Sequence, residues 1–111
     1  RSLVPFNYDP VVRSIAKTGH LLVVTEASER GSFAMTLAAN LTRFAFGQLK
    51  SAPRVLGSPN WIVPGAEMET TYFPQAHDII EIVTSQFYPD TQSNRRGIRN
   101  WDDRELARNG L

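Results

Sequence analysis

The sequence predicts an α/β domain of the three-layer α/β/α type with a mostly parallel sheet. An all-apolar run, Leu21–Val24, is typical of a strand buried on both faces of a parallel sheet. A polar loop follows this strand and leads into a long helix at Ser32 whose apolar residues recur at helical spacing. A second short strand, Arg54–Gly57, lies beyond that helix, bounded by prolines.

Length, composition and charge limit the classes of protein to which this chain can belong. The chain has 111 residues, enough for one domain, and its apolar runs are far shorter than the roughly 20 residues of a membrane-spanning helix. Twelve basic against eleven acidic residues give a net charge of +1, which favours neither a nucleic-acid nor a membrane partner. The lack of cysteine excludes disulfides and thiolate metal sites, and we expect a cytoplasmic protein.

The first helix is predicted over Pro10–Thr18. Asp9 is expected to be its N-cap, with proline at the first helical position, and Gly19 to end it in the left-handed conformation. The first strand then covers His20–Ala27 and places Glu26, which we expect to be buried, at its carboxyl end. The residues on the buried face of the helix are predicted to be Val11, Val12, Ile15 and Ala16.

The second helix is predicted over Ser32–Leu49, and a last helix over Ala76–Phe87. Between the second strand and that last helix runs a long irregular connection, Ser58–Pro74, which holds large apolar side chains among prolines. The stripe that packs the second helix on the sheet is predicted to consist of Phe33, Leu37, Leu41 and Ala45, with Ala34, Ala38 and Leu49 beside it.

The domain organisation is predicted as a partial domain over residues 1–88 and a polar extension over 89–111. In the extension, Arg95, Arg96 and Arg99 are expected to be solvated, and Asn100 to cap a short helix. Two strands alone make a marginal sheet. Either further strands lie in segments predicted as loop, or the sheet is completed by residues before Arg1 or by another chain, and we favour truncation at the N-terminal side.

Four phrases of the chain have the order and spacing of a known family: Arg1–Pro5, Lys17–Ala27, Gly31–Ala34 and Met68–Pro74. Together they resemble the C-terminal domain of transketolase-like, thiamine-diphosphate-dependent enzymes, most closely the beta subunit of the 2-oxo-acid dehydrogenase decarboxylating component. The resemblance extends over about residues 1–88. It departs from the family where Ser32 and Ala34 replace frequent glycines, and where the sequence Asn-Trp-Ile-Val-Pro replaces an acidic, proline-spaced loop.

The resemblance implies a parent enzyme, as a separate beta subunit or a fused alpha–beta chain, that decarboxylates a 2-oxo acid. It implies thiamine diphosphate and magnesium as cofactors held by other domains, none bound by this fragment, which alone should be inactive. It also implies that the fragment associates with other domains or subunits of the enzyme, in a homo- or hetero-oligomer, and docks the lipoyl-bearing acyltransferase core. Two alternatives are a free-standing interaction or small-ligand regulatory module, and the equivalent domain of a transketolase or deoxyxylulose-phosphate synthase relative.

The residues themselves suggest no catalytic, cofactor or metal site. Glu26 is interpreted as a structural or interface acid, with a catalytic role as the alternative, and Ser32 as an N-cap in preference to part of an anion cradle. His20 and His77 lack a third ligand nearby in sequence. The loop aromatics could equally form an interface or cover the core. The interface candidates are Glu26, Arg30, Phe33, Trp61, Tyr72 and Phe73.

Overall fold

The computed structural model describes residues 2–89 and divides the chain into two units, Arg1–Pro74 and Gln75–Leu111. The arginines and the short helix predicted for the extension lie outside the described residues, and the predicted boundary at residues 88 and 89 stays a prediction. None of the helices within residues 2–89 is long and apolar enough to span a membrane.

Helix α1 of the first unit runs from Asp9 to Thr18. It begins one residue earlier than predicted, because the Tyr8 carbonyl already accepts from the N–H of Val11 and of Val12, at 3.1 and 3.0 Å. The N-cap assignment of Asp9 was therefore wrong. At the other end Gly19 adopts φ 79° and donates its N–H to the Ile15 carbonyl, which confirms the predicted left-handed stop.

The buried face of α1 is narrower than the sequence indicates. Ile15 is only 1% exposed and belongs to the core, whereas Val11 and Val12 are half-buried and pack against that core. Ala16 is exposed, so its predicted burial was wrong. It follows Ile15 in the helix, so at 100° per residue it turns away from the core cluster that contains Ile15.

The sheet of the first unit consists of β1, Leu22–Ser28, and β2, Arg54–Ser58, which pair in parallel. Val23 lies opposite Val55, and both pack with residues of the helices that cover this face. The next residue, Val24, points to the opposite face and is 45% exposed. The parallel pairing is confirmed, and the described residues leave one face of β1 open.

Helix α2 runs from Phe33 to Ala45 and continues as a 3₁₀ turn over Phe46–Gln48. The Ser32 hydroxyl accepts from the Met35 N–H at 3.4 Å, which confirms Ser32 as the N-cap. Phe33 is 44% exposed, so its place on the buried stripe was wrong. The stripe starts one residue later, and its buried members are Ala34, Ala38, Leu41 and Ala45.

The connection after β2 contains a 3₁₀ turn, Ala66–Met68, and a short helix α3, Glu69–Tyr72. The second unit begins with helix α4, Ala76–Ile82, followed by a π-helical turn over Val83–Phe87. A capping box starts α4: the Gln75 N–H donates to Asp78 Oδ2 at 2.8 Å, and the Gln75 side chain accepts a backbone N–H in return. The predicted helix over residues 76–87 is thus present, with a wider final turn.

Candidate interaction surface

The carboxyl ends of β1 and β2 are tied together by short contacts. The Ser58 hydroxyl donates to the Glu26 carbonyl at 2.7 Å, and the Glu29 N–H donates to the Ser58 carbonyl at 3.0 Å. Ser58 is 1% exposed, so these bonds form away from solvent. A Cβ added at Gly57 would lie 2.8 Å from the Ala27 carbonyl oxygen. The two backbones therefore approach each other as closely as only glycine permits.

Asn60 joins the loop after β2 to the loop after β1. Its Oδ1 accepts from the Ser28 hydroxyl at 2.6 Å and from the Arg30 N–H at 3.0 Å. Both donors lie about thirty residues earlier in the chain, so the amide fixes the position of one loop against another. We name residues 59–64, the segment that Asn60 anchors, the Trp61 loop.

Tyr72 holds the same loop from helix α3. Its hydroxyl lies 3.0 Å from the Trp61 carbonyl and 3.2 Å from the Pro59 carbonyl, so its single proton is shared between two acceptors. The ring packs edge-on against Phe73, with the centroids 5.2 Å apart. The Trp61 loop is thus hydrogen-bonded at Pro59, at the Asn60 side chain and at the Trp61 carbonyl.

The side chains of the Trp61 loop point to solvent although they are apolar. Trp61 is 79% exposed, Ile62 83% and Val63 63%, and Met68 beside them is 59% exposed. These four residues, which we name the Trp61 patch, border an open cavity of about 390 Å³. A contiguous apolar surface containing an exposed tryptophan is typical of a protein–protein contact.

Along the chain, the charged residues on either side of the Trp61 patch have one sign. Residues 55–76 include no lysine or arginine, and their only charged side chains, Glu67 and Glu69, are both exposed. Both carboxylates flank Met68 along the chain. A partner surface that covers this patch is expected to be apolar at its centre.

The six interface candidates fall into two groups. Trp61, Tyr72 and Phe73 belong to the Trp61 loop or to the chain that supports it, although Tyr72 and Phe73 are half-buried. The other three lie in β1, in the loop that follows it and at the start of α2. Glu26 is exposed, which corrects its predicted burial, because the face of the strand that carries it is left open. The backbone N–H of Arg30 bonds Asn60, and Phe33 begins α2.

Sequence reasoning missed Asn60 and Met68. Asn60 stands beside Trp61 in a proline-rich loop, and asparagine in such loops commonly bonds backbone groups. An asparagine in this setting indicates a role in stabilising a turn, but the sequence does not show with which distant residues its side chain bonds. Met68 was noted only as part of a family phrase, and its exposure depends on the turn Ala66–Met68.

The two histidines lie in separate settings. His20 Nδ1 is 2.8 Å from the Ser51 hydroxyl, and His77 Nε2 is 3.3 Å from Asp78 Oδ1. Within the described part of the chain, no group of three or more histidine, aspartate or glutamate side chains is arranged to hold a metal ion.

Parallel strands, a helix crossing between them and a glycine-dependent contact at their carboxyl ends define an α/β domain of the layered type. The chain belongs to the transketolase C-terminal domain family. The model of this family, described as "Transketolase, C-terminal domain", matches residues 1–79. This match confirms the resemblance found in the sequence, and with it the α/β fold class.

Curated relatives share the same region. The chain is 37% identical over 83 residues to the pyruvate dehydrogenase E1 component subunit beta of Leifsonia xyli subsp. xyli, covering 75% of this chain and 25% of the relative. It is 38% identical over 80 residues to the acetoin:2,6-dichlorophenolindophenol oxidoreductase subunit beta of Cupriavidus necator, covering 71% and 24%. A Mycoplasma pneumoniae pyruvate dehydrogenase E1 component subunit beta is 35% identical over 83 residues, covering 75% and 25%. The chain thus spans about a quarter of the length of these relatives.

Proposed function

We propose that this chain is the C-terminal domain of the beta subunit, or of a fused alpha–beta form, of a thiamine-diphosphate-dependent 2-oxo-acid dehydrogenase decarboxylating component. Its role is association with other domains and subunits and docking of the lipoyl-bearing acyltransferase core. Thiamine diphosphate and magnesium belong to other parts of the parent enzyme, which we place in the cytoplasm. Support comes from the similarity to two pyruvate dehydrogenase beta subunits at 37% and 35% identity.

The Trp61 patch is the observation that carries the association role. Its side chains are between 59% and 83% exposed, although each would be stabilised by burial, by about 1.5–3 kcal/mol for a side chain the size of valine or methionine. The Asn60 and Tyr72 hydrogen bonds hold the loop that presents three of the four, Trp61, Ile62 and Val63. An apolar surface whose backbone is already fixed by hydrogen bonds is suited to a protein partner, since little conformational entropy is lost on binding.

A second candidate is the corresponding domain of an enzyme that acts on acetoin. The observation that favours it is the 38% identity with the beta subunit of the Cupriavidus necator acetoin oxidoreductase, as high as that with the pyruvate dehydrogenase subunits. Both candidates assign the same association role to the Trp61 patch. They differ in the parent enzyme and its substrate. Placing this chain in each of the two relatives and comparing how tightly the two chimeras assemble would test which parent it fits.

The chain alone is expected to show neither turnover nor cofactor binding. The test measures decarboxylation of pyruvate and of other 2-oxo acids, and thiamine diphosphate binding with magnesium by calorimetry, on the purified 111-residue chain. The Leifsonia xyli beta subunit, mixed with its alpha subunit, is the positive control. Turnover by the chain alone would contradict the assignment of the chemistry to other domains.

A chimera tests the association role. The matched quarter of the Leifsonia xyli beta subunit is replaced by this chain, and assembly with the alpha subunit is measured by analytical ultracentrifugation. The unmutated chimera is expected to assemble, and Trp61→Ala to weaken assembly roughly 30-fold, the effect of losing one aromatic interface anchor.

Phe46 supplies the matched control for this test. It is 77% exposed, close to the value for Trp61, but lies in the turn after α2 and outside the Trp61 patch. Phe46→Ala is expected to leave assembly of the chimera unchanged. Equal losses for Phe46→Ala and Trp61→Ala, or no loss for Trp61→Ala, would sink the association role of the patch.

A further inference from the structure

We propose that Asn60 and Tyr72 are positioning residues that hold the Trp61 loop in the conformation that binds the alpha subunit, the partner of the beta subunits that the chain resembles. The inference rests on the proposed association function, since it concerns how the same surface is presented. Neither residue needs to touch the partner: Asn60 acts through the backbone of its own loop, and Tyr72 through the Trp61 carbonyl.

Asn60 fixes the start of the loop against the first strand–helix connection. Its Oδ1 takes one hydrogen bond from a side chain, Ser28, and one from a backbone N–H, that of Arg30. The Arg30 N–H belongs to a connection that is itself bonded to β2 through Glu29 and Ser58. The anchor is therefore attached to the sheet and moves with it.

Tyr72 fixes the loop immediately after that anchor. Its hydroxyl binds the Trp61 carbonyl, one peptide unit beyond Asn60. Asn60 is thus held through the acceptor oxygen of its own side chain, and the next residue, Trp61, is held through its carbonyl by the Tyr72 hydroxyl. Together the two bonds restrict the backbone dihedral angles that set the direction of the Trp61 Cα–Cβ bond.

The loop needs these bonds because its own side chains cannot hold it. Trp61, Ile62 and Val63 are mostly exposed, so they supply little packing that would order the backbone. Ordering a free loop at the moment of binding costs about 1–2 kcal/mol per residue in backbone entropy. Hydrogen bonds made beforehand remove part of that cost from the binding step.

The fluorescence of Trp61 can be used to measure the motion of the Trp61 loop. The chain has two tryptophans, so Trp101→Phe in the full 111-residue chain leaves Trp61 as the only one. Time-resolved fluorescence anisotropy then measures nanosecond motion of the Trp61 side chain. In this background Asn60→Ala and Tyr72→Phe are each expected to increase the amplitude of the fast motion, whereas Asn60→Asp, which keeps the acceptor oxygen, is expected to restore the parent signal.

The same substitutions in the Leifsonia xyli chimera test the consequence for binding. Asn60→Ala and Tyr72→Phe are each expected to weaken assembly roughly three- to tenfold, which is the effect of losing one net hydrogen bond. Asn60→Asp is expected to assemble about as tightly as the unmutated chimera. Thr70→Val is the control, because it removes an exposed hydroxyl from the same short helix without touching the loop. Circular dichroism verifies that every variant is folded.

The outcomes separate this inference from the proposed function. Failure of the unmutated chimera to assemble overturns the proposed function, and the anisotropy measurement then decides by itself whether the two residues hold the loop. Unchanged anisotropy in both variants overturns the inference. Increased motion with unchanged assembly overturns it as well, because the loop would then not need to be held for binding.

Discussion

Replacing Leu41 by alanine is expected to lower the free energy of unfolding by about 3 kcal/mol. Leu41 is 1% exposed and lies in a core cluster with Ile15, Leu21 and Ala45. Removal of its side chain loses the transfer free energy of three carbons. It also leaves a cavity, because α1, α2 and β1 all contribute to the wall and cannot all close on the gap.

Met35 provides the comparison for Leu41. It lies on the same helix but is 43% exposed, so Met35→Ala is expected to lower the free energy of unfolding by less than about 1 kcal/mol. Urea unfolding followed by circular dichroism at 222 nm measures both variants. Losses of equal size would show that α2 does not pack through the face that carries Leu41.

Helical spacing was enough to predict this core in outline. The positions of Ala38, Leu41 and Ala45 follow from the period of 3.6 residues once α2 is recognised. The same argument placed Phe33 on the buried stripe, because a large aromatic residue at the helix start fits the pattern as well as Ala34 does. Which of the two neighbours is buried depends on how the helix is rotated against the sheet, and only tertiary packing decides that.

The candidate surface was predictable in one part only. Aromatic residues in a proline-rich loop indicated an interface or a covering for the core, and the exposure of Trp61 favours the interface. The contact of Asn60 with Ser28 and Arg30 depends on β1 and β2 lying side by side, and no local pattern encodes contacts over such a separation. The burial expected for Glu26 failed for a related reason, since a run of apolar residues does not show which strand face is covered.

Gly57→Ala is expected to lower the free energy of unfolding by about 2–3 kcal/mol and to disturb the Trp61 loop at the same time. The new Cβ would lie 2.8 Å from the Ala27 carbonyl oxygen and 2.9 Å from both the Cα and the N of Glu29. All three atoms are backbone, so no side chain can move aside to make room. The loop after β1 must shift away from β2.

This shift links the stability of the sheet edge to the proposed interface. The Glu29 N–H bonds the Ser58 carbonyl, and the following Arg30 N–H bonds Asn60, so displacement of this loop weakens both bonds. In the Trp101→Phe background, Gly57→Ala is therefore expected to increase the nanosecond motion of Trp61 as Asn60→Ala does. The strand contact and the loop anchor then act as one unit.

Gly47→Ala is the matched control for Gly57→Ala. A Cβ at Gly47 meets no atom within 4 Å, so this substitution is expected to leave stability unchanged or to raise it by up to about 1 kcal/mol through a less flexible unfolded chain. Urea unfolding gives the stabilities, and Trp61 anisotropy gives the loop motion. If the two glycine variants were equally stable, the close approach of β1 and β2 would not exist, and Asn60 would have no fixed sheet edge on which to anchor the loop.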